Sequence, residues 1–345
     1  MKGATAANVI LLFIPVCASL RVRVVSFNIH AWRDKDHIDS FQRLCDLLIE
    51  CEPDVICLNE CLHPWAGAAA DDPYWQAVAS RRGNGYKLPP EALPADESKT
   101  HLLRLARLLG FDHVCFGCAS PVRSFFGQVP FGNAVISRFA LENVRHNVMH
   151  TEPNDLYLGE QERTMADLED RSVSTMIVDL PGGRRLGVCT THLDHKAEKL
   201  REKQARNVLA AAAKAFGSGA VDLPYLVCGD LNTYDKRDMA ERQWREMCEL
   251  SERKGWSKPR ADSLVRAVLE GDGGLVDAFS LAAERDEGDA GADGAGLPPA
   301  TCWTGCRLDY VLLHCAGKVQ VAAHRTLSGS ACSDHLPIVC DLEIE

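Results

Sequence analysis

The sequence predicts one large α/β domain in which β-sheets pack together with helices outside. Strand-like and helical runs alternate along the 345 residues, and some of the strands are paired as hairpins. A third observation is that neither an internal repeat nor a linker divides the chain into two cores. Length alone allows about two domains or a single large one, so the third observation favours one.

In the first third of the chain, apolar periodicity predicts two strands and two helices. We expect a strand over 22–29, a helix in which apolar residues recur from Ile38 to Leu48 and which ends before Pro53, a strand over 54–60 and a helix that Ser98 caps and Gly110 follows. Residues 61–97 are rich in Pro, Gly and Ala without sustained periodicity. We therefore expect them to form an insertion over one rim of the fold.

The rest of the chain is richer in strands. The expected strands cover 111–118, 133–137, 172–180, 185–191, 225–228, 308–314 and 338–344, and the expected helices cover about 196–216 and 239–254. The strands over 172–180 and 185–191 flank Pro181-Gly182-Gly183, a sequence typical of a hairpin turn. Residues 284–300 are a Gly, Ala, Asp and Pro tract that predicts a second, flexible insertion.

Composition excludes some functions. With 38 Lys plus Arg against 48 Asp plus Glu, the formal net charge is −10. This balance argues against a polycation that grips nucleic acid over its whole surface. A phosphate-bearing partner would have to be met at a local site.

The N-terminus resembles a secretory signal peptide over residues 1–20. Lys2 precedes an apolar run from Val9 to Ala18, which is too short to span a membrane comfortably. Two locations stay open: the secretory pathway or the extracellular space if this leader is cleaved, and the cytoplasm otherwise. The folded domain is expected over 21–345.

The 15 cysteines do not form a recognisable disulfide or zinc pattern. Cys57, Cys189 and Cys228 lie in apolar runs typical of buried strands, where cysteine acts as a small hydrophobic residue. Cys115 and Cys118 are three residues apart on an expected strand, so they would point to opposite faces. A zinc site built on this pair is therefore not favoured. The pair Cys302 and Cys306, four residues apart, is not favoured as a zinc site either.

Several apolar strands end in acidic, amide or imidazole side chains. These residues are Asn28, Glu60, His192, Asp230, Asn232, Asp309, Asp334 and His335. One such residue is usually a turn former, but so many together indicate a site. Carboxylate and amide oxygens suit Mg2+ or Mn2+, and a histidine beside an aspartate suits proton transfer. The set predicts metal-assisted attack of water on a phosphoester.

Other hydrolase chemistries lack their motifs. The sequence contains no G-x-S-x-G, no Walker A and no H-E-x-x-H. His195 follows His192 closely, but further histidines that a binuclear zinc hydrolase needs are missing. We interpret His195 as a residue at the start of a helix; a functional role is the secondary interpretation.

The motifs, in their order, resemble the endonuclease/exonuclease/phosphatase superfamily, which includes deoxyribonuclease I, abasic-site endonucleases, deadenylases, neutral sphingomyelinases and inositol phosphatases. The segments that carry the resemblance are Ser26-Phe-Asn28, Asp54-Val-Ile-Cys-Leu-Asn-Glu60, Phe131-Gly-Asn-Ala-Val-Ile-Ser-Arg138, Thr191-His-Leu-Asp194, Gly229-Asp-Leu-Asn232, Arg307-Leu-Asp-Tyr310 and Ser333-Asp-His-Leu-Pro337. They run from about residue 22 to the C-terminus. The resemblance implies a deoxyribonuclease I-like α/β (α+β) fold, a four-layer sandwich of two central mixed β-sheets flanked by helices.

The resemblance also implies roles for individual residues. The implied metal ligands are Glu60, Asn28 and Asp334; the implied catalytic residues are His192, Asp230, Asn232, Asp309 and His335; the implied substrate-binding residues are Arg171 and Asn133. Among these, Asp309 would orient His335, and Asp230 would orient or deprotonate the attacking water. His192 and Asn232 would hydrogen-bond the phosphoryl oxygens.

Together these observations predict an Mg2+- or Mn2+-dependent hydrolase of phosphoester bonds that uses in-line attack of water. A phosphodiesterase or nuclease is favoured. The alternatives are a sphingomyelinase-like or other phospholipid phosphodiesterase, a monoesterase of small phosphates, and a non-catalytic scaffold of the same fold. Phe125, Phe126 and Trp303 are candidates to stack on bases or touch lipid, or else loop anchors. We expect a monomer without a stable protein partner, acting on nucleic acid or a phospholipid headgroup.

Overall fold

The structure is a computed structural model that describes residues 19–63, 86–87, 101–120, 130–152, 169–217, 223–254, 259–286, 296–314 and 319–345. Almost all of the expected leader, Phe125 and Phe126 lie outside these ranges, and so does most of both expected insertions. The leader, the insertion boundaries and the location that depends on the leader stay predictions.

Within the described ranges, fourteen strands form two mixed sheets. The strands are β1 (Leu20–Asn28), β2 (Val55–Leu62), β3 (Tyr86–Lys87), β4 (His113–Ser120), β5 (Phe131–Ser137), β6 (Ala140–Met149), β7 (Arg171–Leu180), β8 (Arg184–His192), β9 (Tyr225–Asp230), β10 (Leu275–Asp277), β11 (Glu284–Arg285), β12 (Asp309–His314), β13 (Val319–Thr326) and β14 (Ile338–Ile344). The first sheet has the order β11-β13-β14-β1-β2-β5-β4-β3, and the second has the order β10-β12-β9-β8-β7-β6.

The helices are interspersed among the strands along the chain. The longer ones are α1 (Phe41–Glu50), α2 (His101–Leu109), α3 (Glu198–Phe216) and α4 (Glu241–Lys254), followed by the short α5 (Leu264–Arg266), a π-helical turn (Ala267–Asp272) and α6 (Ala278–Leu281). One-turn 3₁₀ helices cover His30–Trp32, Pro181–Gly183 and Lys236–Asp238. No helix in the described part of the chain is long and apolar enough to span a membrane.

Three apolar clusters separate four layers. One joins the outer face of the first sheet to α1 and α2, through residues such as Phe27 and Leu44. Another fills the space between the sheets, and a third joins the second sheet to α3, through residues such as Val227 and Val208. Because strand side chains alternate between faces, central strands such as β1 and β9 contribute to two clusters. The expected four-layer α/β sandwich is confirmed.

Most predicted elements are present with shifted ends. The hairpin of β7 and β8 turns at Pro181–Gly183, where Gly182 and Gly183 have φ of 75° and 74°. Helix α1 begins at Phe41 and leaves Ile38 exposed. The carboxylate of Asp34 accepts hydrogen bonds from the backbone N–H groups of Asp36 and Ile38, and this loop occupies the turn that the spacing had assigned to a helix.

Several strands were not predicted. β6 is the edge strand of the second sheet and exposes much of its surface, so it lacks a clear apolar period. β13 has a register shift between Val321 and Ala323, and this irregularity breaks the alternation. β11, a two-residue strand, lies in the tract over 284–300 that was expected to be a loop, and β3 lies in the tract over 61–97. Short strands of this kind have too few residues to show a period.

Candidate active site

The layer between the sheets changes from apolar to polar at one edge. On β1, Val24 points between the sheets and Asn28 occupies the same face four residues later; on β9, Cys228 is followed by Asp230 in the same way. β1 runs parallel to β2, and β8 runs parallel to β9, so their carboxyl ends lie at the same edge. β12 is antiparallel to β9 and begins there, with Asp309 directly opposite Asp230.

Glu60 reaches the site through an irregularity in β2. The register of β2 against β5 shifts between Leu58 and Cys61, and Glu60 lies inside this shift with φ of 54°. A positive φ is strained for a residue with a side chain, and such strain is typical of functional positions. The Glu60 side chain is 20% exposed, so it lies at the mouth of the site rather than in the core.

Asn28 joins the two acidic residues. Its Nδ2 donates to Oε1 of Glu60 at 3.2 Å and to Oδ2 of Asp230 at 2.9 Å. Its Oδ1 accepts the backbone N–H of His30 at 3.1 Å. In this geometry the amide nitrogen, rather than the oxygen, faces the two carboxylates, so Asn28 orients them; direct ligation of a metal would require its oxygen to turn inward.

Asp230 is almost fully buried at the centre of the site. Its Oδ1 accepts the backbone N–H of Asn232 at 2.9 Å. Burial raises the pKa of Asp230 to about 7, and the carboxylate of Asp309 adds to this, against the lowering effects of His335 and the hydrogen bonds. A carboxyl group with a pKa near neutrality can accept and release a proton under ordinary conditions.

His335 and Asp309 form a hydrogen-bonded pair. His335 Nδ1 lies 2.8 Å from Oδ2 of Asp309, and its Nε2 lies 3.7 Å from Oδ2 of Asp230. Burial lowers the pKa of His335, but the charges of Asp309 and Asp230 outweigh burial and hold the pKa well above its ordinary value. Thr301 holds the backbone of Asp309 in place, because its Oγ1 accepts the backbone N–H of Asp309 at 3.0 Å.

His192 is surrounded by hydrogen-bond donors. Arg171 Nη1 lies 3.3 Å from His192 Nδ1, and Asn232 Nδ2 lies 2.9 Å from His192 Nε2. Burial and then the charge of Arg171 lower the pKa of His192 well below its ordinary value. A neutral imidazole has one acceptor nitrogen, so one of these two donors is left for an oxygen of a ligand.

Gly229 lets strands β8 and β9 approach closely beneath these residues. A Cβ at this position would lie 1.9 Å from the carbonyl oxygen of Thr191, and φ is 142°. Asn232, with φ of 48°, turns the chain after Asp230. The Gly229-Asp230-Leu231-Asn232 segment therefore places two functional side chains on one tight turn.

The donor groups fit a hard divalent cation. Ligand atoms of Glu60, His192 and Asp230 lie within 4.8 Å of one another, as do those of Asp230, Asp309 and His335. Burial raises the pKa of Glu60, and the nearby Asp334 carboxylate raises it further. Carboxylates crowded at a partly exposed position suit Mg2+ or Mn2+, with water completing the coordination.

The remaining expected residues divide into two groups. Asp334, whose Oδ1 lies 3.8 Å from His30 Nδ1, is at the mouth of the site. Asn133, expected to bind substrate, is buried with both amide atoms engaged by the protein: Nδ2 donates to the carbonyl oxygen of Ser172 at 3.1 Å, and Oδ1 accepts from Asn59 at 2.9 Å. This geometry favours a role for Asn133 in positioning its neighbours.

Sequence reasoning gave too little weight to three residues near the site. His195 Nδ1 lies 3.1 Å from Arg171 Nη2, and burial and then Arg171 lower the pKa of His195 to about 3. Asn59 and His30 also contact site residues. Asn59 could have been singled out because it directly precedes Glu60 in the sequence. It was overlooked because it lies inside an otherwise apolar strand.

Comparison with known proteins gives one family and a set of structures. The family described as Endonuclease/Exonuclease/phosphatase family matches residues 25–335. An endonuclease/exonuclease/phosphatase from Beutenbergia cavernae has 23% identity and a TM-score of 0.60, with 94% of this chain and 72% of that chain covered. No curated protein sequence matches the chain significantly.

Two further structures have more specific descriptions. The human Nocturnin catalytic domain, with bound sulfate, has 19% identity and a TM-score of 0.51, with 94% of this chain and 95% of that chain covered. The mannosyl-6-phosphatase Bt3783 of Bacteroides thetaiotaomicron has 14% identity and a TM-score of 0.52, with 93% and 99% covered. At these identities the likeness shows a shared fold.

Proposed function

Because this chain belongs to the endonuclease/exonuclease/phosphatase family, whose members hydrolyse phosphoesters, we propose that it is an Mg2+- or Mn2+-dependent phosphodiesterase, with nucleic acid as its first candidate substrate. The observation that carries the proposal is the meeting of Glu60, Asp230 and the His335–Asp309 pair at one edge of the two sheets. These residues supply a cation site, a proton acceptor and an oriented imidazole in a single location.

Each residue has a distinct task in the proposed reaction. Asp230, with a pKa near 7, accepts the proton of the attacking water. His335, held protonated by Asp309, offers its Nε2–H to the phosphoryl group as negative charge develops there. Either Asn232 or Arg171, whichever does not donate to His192, does the same at a second oxygen.

Glu60 and Asp334 would hold the cation, with Asn28 orienting the Glu60 carboxylate. When bound, the cation would supply Lewis acidity to the phosphate and neutralise part of its charge. The carboxylates of Glu60 and Asp334, which repel each other at the mouth, would therefore form a binding site for the cation. This arrangement lets a protein of net charge −10 accept an anionic substrate at one local position.

Trp303 supports a substrate larger than a small phosphate. Its side chain is 57% exposed, and its backbone N–H donates to the carbonyl oxygen of Asp334 at 2.8 Å. An exposed indole beside the mouth is not a buried loop anchor. A base of single-stranded nucleic acid can stack on such a ring, with about 1–3 kcal/mol gained per base.

The proposal is tested with a chromogenic phosphodiester and Mg2+. We expect activity in the wild type, and a fall of kcat/KM by about 10²-fold or more in Glu60→Gln and in His335→Gln, because each substitution removes an interaction with the transition state. The matched control is Glu142→Gln, which changes an exposed side chain toward the end of β6 opposite the site. It should keep wild-type activity; equal activity in all four proteins would overturn the proposal.

A substrate panel separates the alternatives. Single-stranded nucleic acid, duplex DNA, sphingomyelin and a sugar phosphate are compared at the same Mg2+ concentration. A preference for sphingomyelin would favour the phospholipid phosphodiesterase, and a preference for the sugar phosphate the monoesterase. An enzyme inactive on every substrate, with no Mn2+ binding by calorimetry, would favour the non-catalytic scaffold.

A further inference from the structure

A buried amide lies directly beneath the site. Asn59 precedes Glu60 in β2, and its side chain has no exposed surface. Its Oδ1 accepts the backbone N–H of Asp230 at 3.0 Å, and its Nδ2 donates to Oδ1 of Asn133 at 2.9 Å and to the carbonyl oxygen of Thr191 at 3.0 Å. Both Nδ2 hydrogens and one oxygen lone pair are thereby used.

Two of these three bonds connect the two sheets, and the third joins two strands of the first sheet. Asn59 and Asn133 belong to the first sheet, whereas Thr191 and Asp230 belong to the second. The amide therefore reaches across the layer that is otherwise filled by apolar side chains. It is bonded to strands β5, β8 and β9, and each of these strands carries a residue of the proposed site or is adjacent in sequence to one.

The network extends from Asn59 toward Arg171. Asn133 Nδ2 donates to the carbonyl oxygen of Ser172 at 3.1 Å and lies 3.2 Å from its hydroxyl. Thr191 Oγ1 donates to the same Ser172 carbonyl at 3.0 Å. Ser172 follows Arg171, and Thr191 precedes His192. A displacement of Asn59 would therefore shift Arg171 and His192 as well.

The sheets approach too closely here for a side chain on the opposite strand. A Cβ on Gly229 would lie 3.0 Å from Asn59 Oδ1, in addition to its clash with Thr191. The Asn59 amide therefore packs against bare backbone, and its length sets the local separation of the sheets. An apolar residue of the same size would leave the buried Asp230 N–H and Asn133 Oδ1 without this partner.

We infer that Asn59 is a positioning residue, which fixes Glu60 of one sheet relative to His192 and Asp230 of the other. The inference rests on the proposed function, because it concerns the spacing of that same site. Asn59 touches no reacting atom in this role. It acts by keeping the carboxylate, the imidazole and the proton acceptor at the separations that the reaction needs.

The test compares two Asn59 variants with a variant that is only destabilised. Asn59→Leu removes all three hydrogen bonds at similar volume, and Asn59→Asp keeps the acceptor for Asp230 N–H but loses both donors. Val135→Ala opens a cavity in the same inter-sheet layer without touching the network. For each protein, kcat, KM, Tm and Mn2+ affinity by calorimetry are measured well below the Tm.

We expect Asn59→Leu to lower kcat by about 10²-fold, because a displacement of about 1 Å costs this much, while KM changes by less than about threefold. Asn59→Asp should show a smaller fall, and both should bind Mn2+ more weakly. Val135→Ala should lower Tm with kcat unchanged. If both Asn59 variants keep kcat and Mn2+ affinity within about threefold of the wild type, the inference is wrong while the proposed function stands.

A second measurement uses the metal-free protein and does not depend on activity. Asn59→Ala, Asn133→Ala and the double variant are unfolded thermally without metal. Since both residues belong to one hydrogen-bonded unit, the loss of Tm in the double variant should be smaller than the sum of the single losses. Additive losses would contradict the coupling. A wild type that neither hydrolyses phosphodiesters nor binds Mn2+ would instead overturn the proposed function itself.

Discussion

Asp309 contributes to the site through one hydrogen bond. Its Oδ2 lies 2.8 Å from His335 Nδ1, and in the described structure its other oxygen, Oδ1, is buried without a hydrogen-bond partner. The aspartate therefore acts on His335, both by orienting the ring and by stabilising its protonated form. A neutral amide of the same shape would perform neither task fully.

We expect Asp309→Asn to lower the pKa of His335, because the charge that raises it is removed while burial still lowers it. The fall in kcat should be about 10²-fold or more. NMR titration of the His335 imidazole and steady-state kinetics measure the two effects. The exposed Glu142→Gln serves as a control and should leave the His335 titration unchanged.

An unchanged His335 titration in Asp309→Asn would show that Asp230 alone sets the protonation of this histidine. Unchanged kcat would remove the pair from the mechanism. The two results are independent, so the experiment separates orientation from charge.

At the scale of secondary structure elements, Arg307 anchors β12 next to the site. Its Nη1 and Nη2 lie 2.6 and 2.8 Å from the two carboxylate oxygens of Asp277 in β10. Asp238 extends this buried cluster, because the hydroxyl of Tyr310 donates to its Oδ2 at 3.1 Å. Arg307 is part of a segment that carries the family resemblance, yet in this structure its contacts are structural. They hold the strand that begins with Asp309.

We expect Arg307→Met to lower the free energy of unfolding by about 3–5 kcal/mol, since it leaves the buried Asp277 without its main partner. Urea unfolding measures this change. Arg242→Met removes a solvent-exposed ion pair on α4 and should change stability by less than about 1 kcal/mol. A loss of equal size in both variants would show that the buried pair has no special contribution.

The Arg307 effect should depend on pH. Burial raises the pKa of Asp277, but the charge and hydrogen bonds of Arg307 outweigh burial and lower it to about 2. A lowered carboxyl pKa stabilises the fold above the unfolded value of about 4, and this contribution is lost as pH falls toward 2. The stability difference between wild type and Arg307→Met should therefore shrink over that interval.

For the whole molecule, the site exists only when both sheets are in place. Asn28 and Glu60 come from the first sheet, His192 and Asp230 come from the second, and His335 lies before the last strand. A cation bound at this junction would bind the folded state and not the unfolded chain. Binding should then stabilise the entire domain.

We expect Mn2+ at about 100 times its Kd to raise the free energy of unfolding by about 2.7 kcal/mol, seen as a higher Tm in scanning calorimetry. Glu60→Gln should lose most of this increase, and the exposed Glu142→Gln should keep it. An equal increase in Glu60→Gln would place the cation elsewhere on the molecule.

The sequence by itself determined the fold class, most strands and helices, and the group of polar strand ends. Alternation of side chains along a single strand is a local property, so Val24 and Cys228 could be assigned to a core, and Asn28 and Asp230 to its polar edge, without coordinates. Local patterns failed where a strand was short, exposed or bulged, as in β6 and β13.

Only the tertiary structure decided how these residues meet. The bond from Asp230 N–H to Asn59 joins residues 171 positions apart, and that from Asn28 to Asp230 joins residues 202 positions apart. Such contacts depend on the register of each sheet, on the bulge beside Glu60 and on the separation of the two sheets. These quantities are set by the packing of many strands at once, so no pattern within one strand can encode them.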